Sequence, residues 1–497
     1  MKETYNVACE LIDRHIVSRG DKVAIYHEDR KISYAQLGEN VNRFGNVLKD
    51  LGVQPGERIL VALPDCPECV YAFLGSIRHG AWPVLVSPIL AKATYEFILR
   101  DCQASAAITT SDSPVPGIRT EHLRHVLCLG EKEFLDRAAA ASTELDPHPS
   151  SRNDIAFMLY SSGSTGNPKG VVHRHAAIPF TADVYGNRVL NVTDEDICFS
   201  ASKIFFAYGL GNSISFPFSA GAAVVLYSGK STAPDVFNVI STYRPSLFFA
   251  VPTLYNMMLM TLDEKTSLDS VRMCISAGEA LPAATYEKWK ELTGLEILDG
   301  IGSTEALHIF ISNRPGRVRP GTSGYLVPPY EAGIVDENGL PVQPGEPGHL
   351  LIRGESTAPF YWNRPDKTSE TMLRDGWLRT GDIYTEDSGC YRYHGRADDM
   401  FKVDANWVSP VKVEDVLREH ASVMECAVTW RTLEGLVKPL AYVVLNPGFL
   451  DDMKLYRTLR AHVLEKLPDY MCPVQIVCCP ELPKTETGKI QRFKLRT

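Results

Sequence analysis

The sequence predicts an α/β protein: a large N-terminal domain of parallel-rich α/β sheets with a small β subdomain, then a small α+β C-terminal domain. Three observations predict this. Apolar strand-like runs alternate with helical patterns through the first two-thirds of the chain, the pattern of parallel strands joined by crossover helices. From about Arg317, glycine and proline become frequent and short alternating strands take over. After Gly395-Arg-Ala-Asp-Asp399 the texture shifts again, to a stretch long enough for a small domain of its own.

In chain order, Tyr34–Leu51 and Cys69–His79 carry helical periodicity. Between and after them Arg58–Leu63, Trp82–Val86, Ala106–Thr109 and Val126–Leu129 are short apolar runs that suit buried strands. Ile155–Leu159, Ala222–Tyr227, Leu247–Val251 and Met273–Ser276 continue the strand series. Pro252–Leu262 and Pro282–Thr293 open with proline, which fits the first turn of a helix. His349–Arg353 represents the β-rich part, about residues 317–395. Beyond a polar boundary at 396–399, residues 400–497 give Val411–Glu419 and Leu455–Lys466 as helices and Cys426–Trp430 and Pro439–Leu445 as strands.

Composition sets limits. A chain of 497 residues exceeds what one core supports, so two or more domains are expected. The net charge of −9 argues against a broad nucleic-acid footprint, which needs a basic face. No apolar run reaches the roughly 18 residues of a membrane span. Early charges at Lys2, Glu3, Glu10, Asp13 and Arg14 speak against a secretory leader, so a cytoplasmic location is expected. The 12 cysteines are scattered, and Cys66-Pro-Glu-Cys69 has no second pair at zinc spacing, so reduced buried thiols are expected.

Tyr160-Ser-Ser-Gly-Ser-Thr-Gly-Asn-Pro-Lys-Gly170 carries the most chemistry. Gly163 and Gly166 let the backbone turn sharply, so several N–H groups can face one anion. Ser161, Ser162, Ser164 and Thr165 add hydroxyl donors, and Lys169 adds a point charge. The loop leaves a predicted strand end, where α/β folds bind ligands. The spacing is not that of the common P-loop, because no hydroxyl follows Lys169 to hold magnesium. Transfer of a γ-phosphoryl group is therefore disfavoured. A flexible Ser/Gly surface loop is the plainer alternative, and the preceding strand weighs against it.

Further segments stand out. Asp299-Gly-Ile-Gly-Ser-Thr-Glu305 is expected to be a second glycine-hydroxyl loop at a strand end, closing on a carboxylate suited to magnesium. Trp377-Leu-Arg-Thr-Gly-Asp382 offers a carboxylate to ribose hydroxyls, and Lys489 follows a glycine outside regular structure.

Together, in this order and spacing, these motifs resemble the adenylate-forming superfamily of acyl- and aryl-CoA synthetases, nonribosomal adenylation domains and luciferases. The likeness spans essentially the whole chain. Phe205-Phe-Ala-Tyr-Gly-Leu-Gly-Asn212, Ser276-Ala-Gly-Glu-Ala-Leu-Pro282 and Asp299–Glu305 continuing into Leu307-His-Ile-Phe310 bring it nearer to benzoate-CoA and related aryl-CoA ligases. Ile301 belongs to this likeness, since many other relatives have an aromatic there.

The resemblance implies an aryl carboxylate attacking the α-phosphorus of ATP, with release of pyrophosphate and then acyl transfer to coenzyme A. Lys489 would bridge the carboxylate and the α-phosphate, Thr304 would touch the α-phosphate and Glu305 would hold Mg2+. The Tyr160–Gly170 loop would grip the β- and γ-phosphates. Asp382 and Arg396 would hold the ribose, while Glu279, Asp299, Gly300 and Ile301 flank the adenine. Phe205, Ala207, Tyr208, Gly209, Ala277, Gly278, Gly302, His308 and Ile309 would line the acyl pocket. His308 would either meet a polar ring substituent or serve as packing. No Asp lies within Phe205–Asn212, which disfavours amino-acid activation.

Asp398 would be the hinge of a mobile C-terminal domain, with Lys402 and Ala405 lining a thiol tunnel. The family usually has glycine at Ala405, and often glutamate at Lys412. That departure bears on thioester formation and keeps open an enzyme that loads an acyl-carrier protein or mainly adenylates. A non-catalytic acyl-AMP-binding regulator is opposed by Lys489, Glu305 and Asp382 all being present. The partners expected are small molecules, and the assembly a monomer or homodimer.

Overall fold

The structure is a computed structural model; it describes residues 4–161, 167–263, 266–404, 406–433, 435–484 and 490–496. Among these residues the strands form sheets of thirteen, six, three and two.

The six-stranded sheet runs His125–Leu129, Ala104–Thr110, Arg58–Val61, Trp82–Leu85, Ile155–Ser161, Lys169–Arg174. All pairs are parallel except the last. These strands are buried on both faces, which explains why they appear in the sequence as continuous apolar runs. Helix Tyr34–Asp50 starts on a reciprocal cap, with Gln36 N–H donating to Ser33 Oγ and Ser33 N–H to Gln36 Oε1. It packs closely on helix Pro67–His79. A Cβ on Gly75 would stand 2.7 Å from the Val41 carbonyl, so only glycine allows that approach.

The thirteen-stranded sheet has a parallel half and an antiparallel half. Val23–His27, Ala223–Val225, Ile197–Ser200, Leu247–Ala250, Met273–Ser276 and Ile297–Gly302 are neighbours in parallel. Ile309–Ser312 then pairs antiparallel to Ile297–Gly302 and passes the sheet on to Gly324–Leu326. Cys390–Arg396, Trp377–Asp387, Gly348–Arg353 and Glu331–Val335 complete the β-rich part by antiparallel pairing. That part continues the large sheet and is hydrogen-bonded to it.

One expectation changes here. Asp299, Gly300, Ile301 and Gly302 lie in a strand, and the expected loop shortens to the residues after Gly302. The register pairs Ser276 with Asp299 on one side and Gly300 with Ser312 on the other. A Cβ on Gly300 would come within 2.8 Å of the Ile311 carbonyl, so this glycine serves close strand packing.

The three-stranded sheet holds Val423–Leu433, Leu436–Leu445 and Gln475–Cys478, with helices Pro410–Arg418 and Met453–Lys466 packed through Val413, Leu417, Leu459 and Val463. Phe401–Val403 and Asn406–Val408 make the two-stranded hairpin. All twelve cysteines are free thiols, most of them buried. No helix among the described residues is long and apolar enough to cross a membrane.

Candidate functional site

The phosphate-loop candidate is flanked by strands Ile155–Ser161 and Lys169–Arg174, which pair antiparallel. Tyr160 pairs with Gly170 and Ser161 with Lys169, so the loop leaves and rejoins the sheet side by side. Ser162, Gly163, Ser164, Thr165 and Gly166 lie outside the described residues. The hairpin stem is anchored by the Tyr160 hydroxyl, which donates to Asp101 at 2.6 Å. At the loop exit, Lys169 Nζ sits 4.5 Å from the centroid of the Tyr361 ring.

Thr304 and Glu305 lie in the turn between strands Ile297–Gly302 and Ile309–Ser312. Leu307 N–H donates to the Thr304 carbonyl, and Leu307 takes φ 68°, a left-handed conformation rare for a leucine. The Glu305 carboxylate accepts from the Tyr361 hydroxyl at 2.7 Å. Among the described residues no cluster of three or more His, Cys, Asp or Glu could cage a metal. Magnesium that keeps waters and substrate phosphates needs only one or two carboxylates, so Glu305 fits as its oxygen donor.

Asp382 and Arg396 pair across neighbouring strands, with an ion pair of 3.1 Å. The Asp382 carboxylate raises the guanidinium of Arg396 above its ordinary value despite burial. Arg396 also donates to the Thr380 carbonyl at 2.9 Å. Glu279 accepts from the Thr253 hydroxyl at 3.3 Å, just beyond strand Met273–Ser276.

Asp299 is buried, and one oxygen accepts from Leu281 N–H at 3.3 Å. Burial pushes its carboxyl up to about 8, so it holds a proton at neutral pH. Because the folded value is raised, its stabilisation is complete below the ordinary 3.8 and fades as pH rises through about 8. Asp299→Asn is therefore expected to flatten the loss of thermal stability between about pH 5 and about pH 9. Melting curves of both proteins across that range check this; parallel pH slopes would contradict it.

The acyl-pocket candidates converge at the ends of strands Met273–Ser276 and Ile297–Gly302. Phe205, Ala207, Tyr208 and Gly209 lie at the start of helix Ala207–Leu210, where the Tyr208 hydroxyl donates to the Ile275 carbonyl at 3.1 Å. Ala277 and Gly278 follow strand Met273–Ser276, Gly302 ends its strand and Ile309 begins the next. The His308 ring lies 5.5 Å from Tyr208, 5.5 Å from Tyr185 and 4.5 Å from Phe216. A Cβ on Gly211 would meet its Cδ2 at 2.2 Å.

A hydrogen-bond chain fixes the His308 tautomer. Ser200 Oγ donates to the Ser202 carbonyl, so it accepts from Asn212 Nδ2 at 3.2 Å. The Asn212 carbonyl oxygen then accepts from His308 Nε2 at 3.1 Å. Burial pushes His308 down to about 3, against a backbone hydrogen bond with Tyr208 that raises it, so the ring is neutral; among the described residues Nδ1 has no hydrogen-bond partner. Of the two roles expected for His308, packing satisfies only one ring nitrogen. Two π-helical turns frame it: Ala182–Asn187 brings Tyr185 and Gly211–Ser215 brings Asn212.

At the hinge candidate, the Asp398 carbonyl accepts from Arg496 at 3.1 Å and Asp399 pairs with Arg496 at 2.5 Å. Lys402 Nζ lies 4.5 Å from the centroid of the Trp407 ring. Ala405 and Lys489 lie outside the described residues.

Sequence reasoning missed Tyr361, Tyr185 and Asp65. Asp65 is buried and accepts from Ile204 N–H at 3.0 Å, fixing the start of the Phe205–Gly209 segment. A cavity of about 550 Å³ lined by Trp82, His148, Arg174 and Phe360 holds none of the candidates.

Comparison with known proteins gives the family of the chain. The AMP-binding enzyme family matches residues 12–362, and the AMP-binding enzyme C-terminal domain matches residues 412–489. The chain is 42% identical to a benzoate–CoA ligase of Thauera aromatica, over 100% of this chain and 96% of that protein. It is 35% identical to an anthranilate–CoA ligase of Pseudomonas aeruginosa, over 89% and 87%. Its fold superposes on a crystal structure of the anthranilate CoA ligase AuaEII in complex with anthranoyl-AMP with a TM-score of 0.94, at 41% identity and with 100% and 97% of the chains covered. A benzoate CoA ligase from Burkholderia xenovorans gives a TM-score of 0.92 at 41% identity, covering 99% and 100%. With both of its domains matched and full-length relatives at this identity, the chain belongs to the AMP-binding enzyme family, alongside its aryl-CoA ligases.

Proposed function

We propose that this chain is an ATP-dependent, AMP-forming aryl-CoA ligase acting on benzoate or a small ring-substituted benzoate. The full-length likeness to benzoate–CoA ligases carries the reading. A carboxylate is a poor acyl donor because oxide would have to leave. The aryl carboxylate instead attacks the α-phosphorus of ATP, forming a P–O bond while the bond to pyrophosphate breaks. The thiolate of coenzyme A then attacks the acyl carbon and AMP leaves. The first step joins two anions, so positioning and charge neutralisation dominate catalysis.

Lys169 and the Tyr160–Gly170 loop hold the leaving pyrophosphate, Thr304 touches the α-phosphate and Lys489 draws carboxylate and phosphate together. Asp382 and Arg396 hold the ribose; Glu279, Asp299, Gly300 and Ile301 border the adenine. Glu305 would hold magnesium, which supplies charge neutralisation on the triphosphate when bound. Residues 396–399 are the hinge about which 400–497 turn between the steps, replacing Lys489 with the tunnel beside Lys402 and Ala405.

The Nδ1 of His308 favours a ring bearing a hydrogen-bond donor, an amino or hydroxyl group. Pyrophosphate release across benzoate, amino-, hydroxy- and methoxybenzoates tests the substrate class. His308→Leu is expected to lower kcat/KM for the preferred amino- or hydroxybenzoate by about tenfold, with a much smaller effect on benzoate. Equal losses on both acids would sink the donor assignment.

A second reading, transfer to an acyl-carrier protein or adenylation alone, is favoured by Ala405. It is also supported by 33% identity to a p-hydroxybenzoic acid–AMP ligase of Mycobacterium tuberculosis, over 96% of this chain and 66% of that protein.

A further inference from the structure

Residues 356–362 form a strap that joins two segments of the proposed phosphate site. At one end Ala358 N–H donates to the Glu305 carbonyl at 2.7 Å and Ser356 Oγ donates to the Ala306 carbonyl at 2.8 Å. At the other end Trp362 N–H donates to the Gly170 carbonyl at 2.8 Å, and Tyr361 forms a β-bridge with Val171. The strap thus stitches the turn after strand Ile297–Gly302 to the strand that leaves the phosphate loop.

Tyr361 lies near the second end of the strap and is buried. Its N–H donates to Thr368 Oγ1 at 3.0 Å, which holds its backbone against helix Pro365–Thr371. Its hydroxyl donates to Glu305 Oε1 at 2.7 Å, while its ring carries Lys169 Nζ at 4.5 Å. One side chain therefore touches both the carboxylate and the ammonium. A free lysine and glutamate this close to a common neighbour would tend to pair and cancel each other's charge. Among the described residues no ion pair joins Lys169 to Glu305; each is held by a different part of the tyrosine.

We propose that Tyr361 is a positioning residue that keeps Glu305 and Lys169 apart and preset for the magnesium-loaded triphosphate of ATP. A glutamate and a lysine are flexible side chains, and ordering them in advance removes that entropy cost from nucleotide binding. The hydroxyl supplies a charge-assisted hydrogen bond and the ring a cation–π contact. The proposal rests on the AMP-forming reading above.

The test uses the full chain and two variants. Calorimetry measures the affinity of α,β-methylene-ATP with magnesium, which cannot release pyrophosphate, and of AMP, which lacks the β- and γ-phosphates. Tyr361→Phe keeps the ring and is expected to weaken the analogue about tenfold while AMP binds as in wild type. Tyr361→Leu also removes the ring and should weaken the analogue by about a further threefold. Wild-type affinity for the analogue in Tyr361→Phe would overturn the proposal, as would equal weakening of AMP and analogue. Pyrophosphate release by the wild type tests the AMP-forming reading separately, so the two can fail independently.

Discussion

Replacing Lys489 with alanine is expected to slow adenylation by at least about 10²–10³-fold, the loss typical of one preorganised donor at a developing charge. Thioester formation from supplied aryl-AMP should fall far less. The asymmetry follows from the charges involved. In the first step a carboxylate approaches a phosphate, and one ammonium between them offsets the repulsion. In the second step the acyl carbon is already activated, and a domain rotation would have carried Lys489 away. Rapid-quench measurement of each half-reaction separates the two effects. Equal losses in both would refute the rotation about Asp398.

Glu414→Ala is expected to destabilise the C-terminal unit by about 3–5 kcal/mol, the cost of leaving buried charges without their partner. Glu414 is fully buried on helix Pro410–Arg418 and pairs with Arg492 at 2.7 Å and Arg418 at 3.1 Å. It also accepts from Val428 N–H at 2.7 Å. Burial pushes the Glu414 carboxyl up, but the Arg492 and Arg418 guanidiniums outweigh it and hold it below the usual carboxylate range. Its stabilisation is therefore present above the ordinary 4.5 and lost as pH falls through the lower folded value.

Arg492 follows Lys489 by three residues and also reaches Asp399 at 3.7 Å, beside the proposed hinge. Removing Glu414 is thus expected to loosen Arg492, three residues beyond the proposed catalytic Lys489. Thermal unfolding should show a lowered C-terminal transition, with adenylation reduced even where the protein stays folded. An unchanged melting profile would contradict the account.

How far the sequence anticipated this architecture differs from element to element. The parallel strands were legible because burial on both faces leaves uninterrupted apolar runs, as at Leu247–Ala250 and Met273–Ser276. The hairpin Val23–His27 with Arg30–Ser33 was not, since its second strand carries only one buried residue, Ile32. Asp299–Gly302 resembled a loop because glycine signals both turns and close strand contacts, and only the pairing with Ser312 distinguishes them. Lys169, Glu305 and Asp382 stand out in the sequence because each sits in a dense local motif. Tyr361 was hidden in the aromatic run Phe360–Trp362; its contact with Glu305 spans 56 positions, a distance that local pattern does not encode. The His308–Asn212 bond spans 96 positions, so both residues were visible as motif members while their partnership and the resulting tautomer were not.

The most direct test of the account is the product balance of a single incubation. The full chain is mixed with ATP, magnesium, coenzyme A and benzoate or its preferred substituted form, quenched over time and analysed by mass spectrometry. AMP and aryl-CoA appearing in equal amounts, with aryl-AMP seen only transiently, is the predicted result. ADP as the nucleotide product, or aryl-AMP accumulating without aryl-CoA, would contradict it.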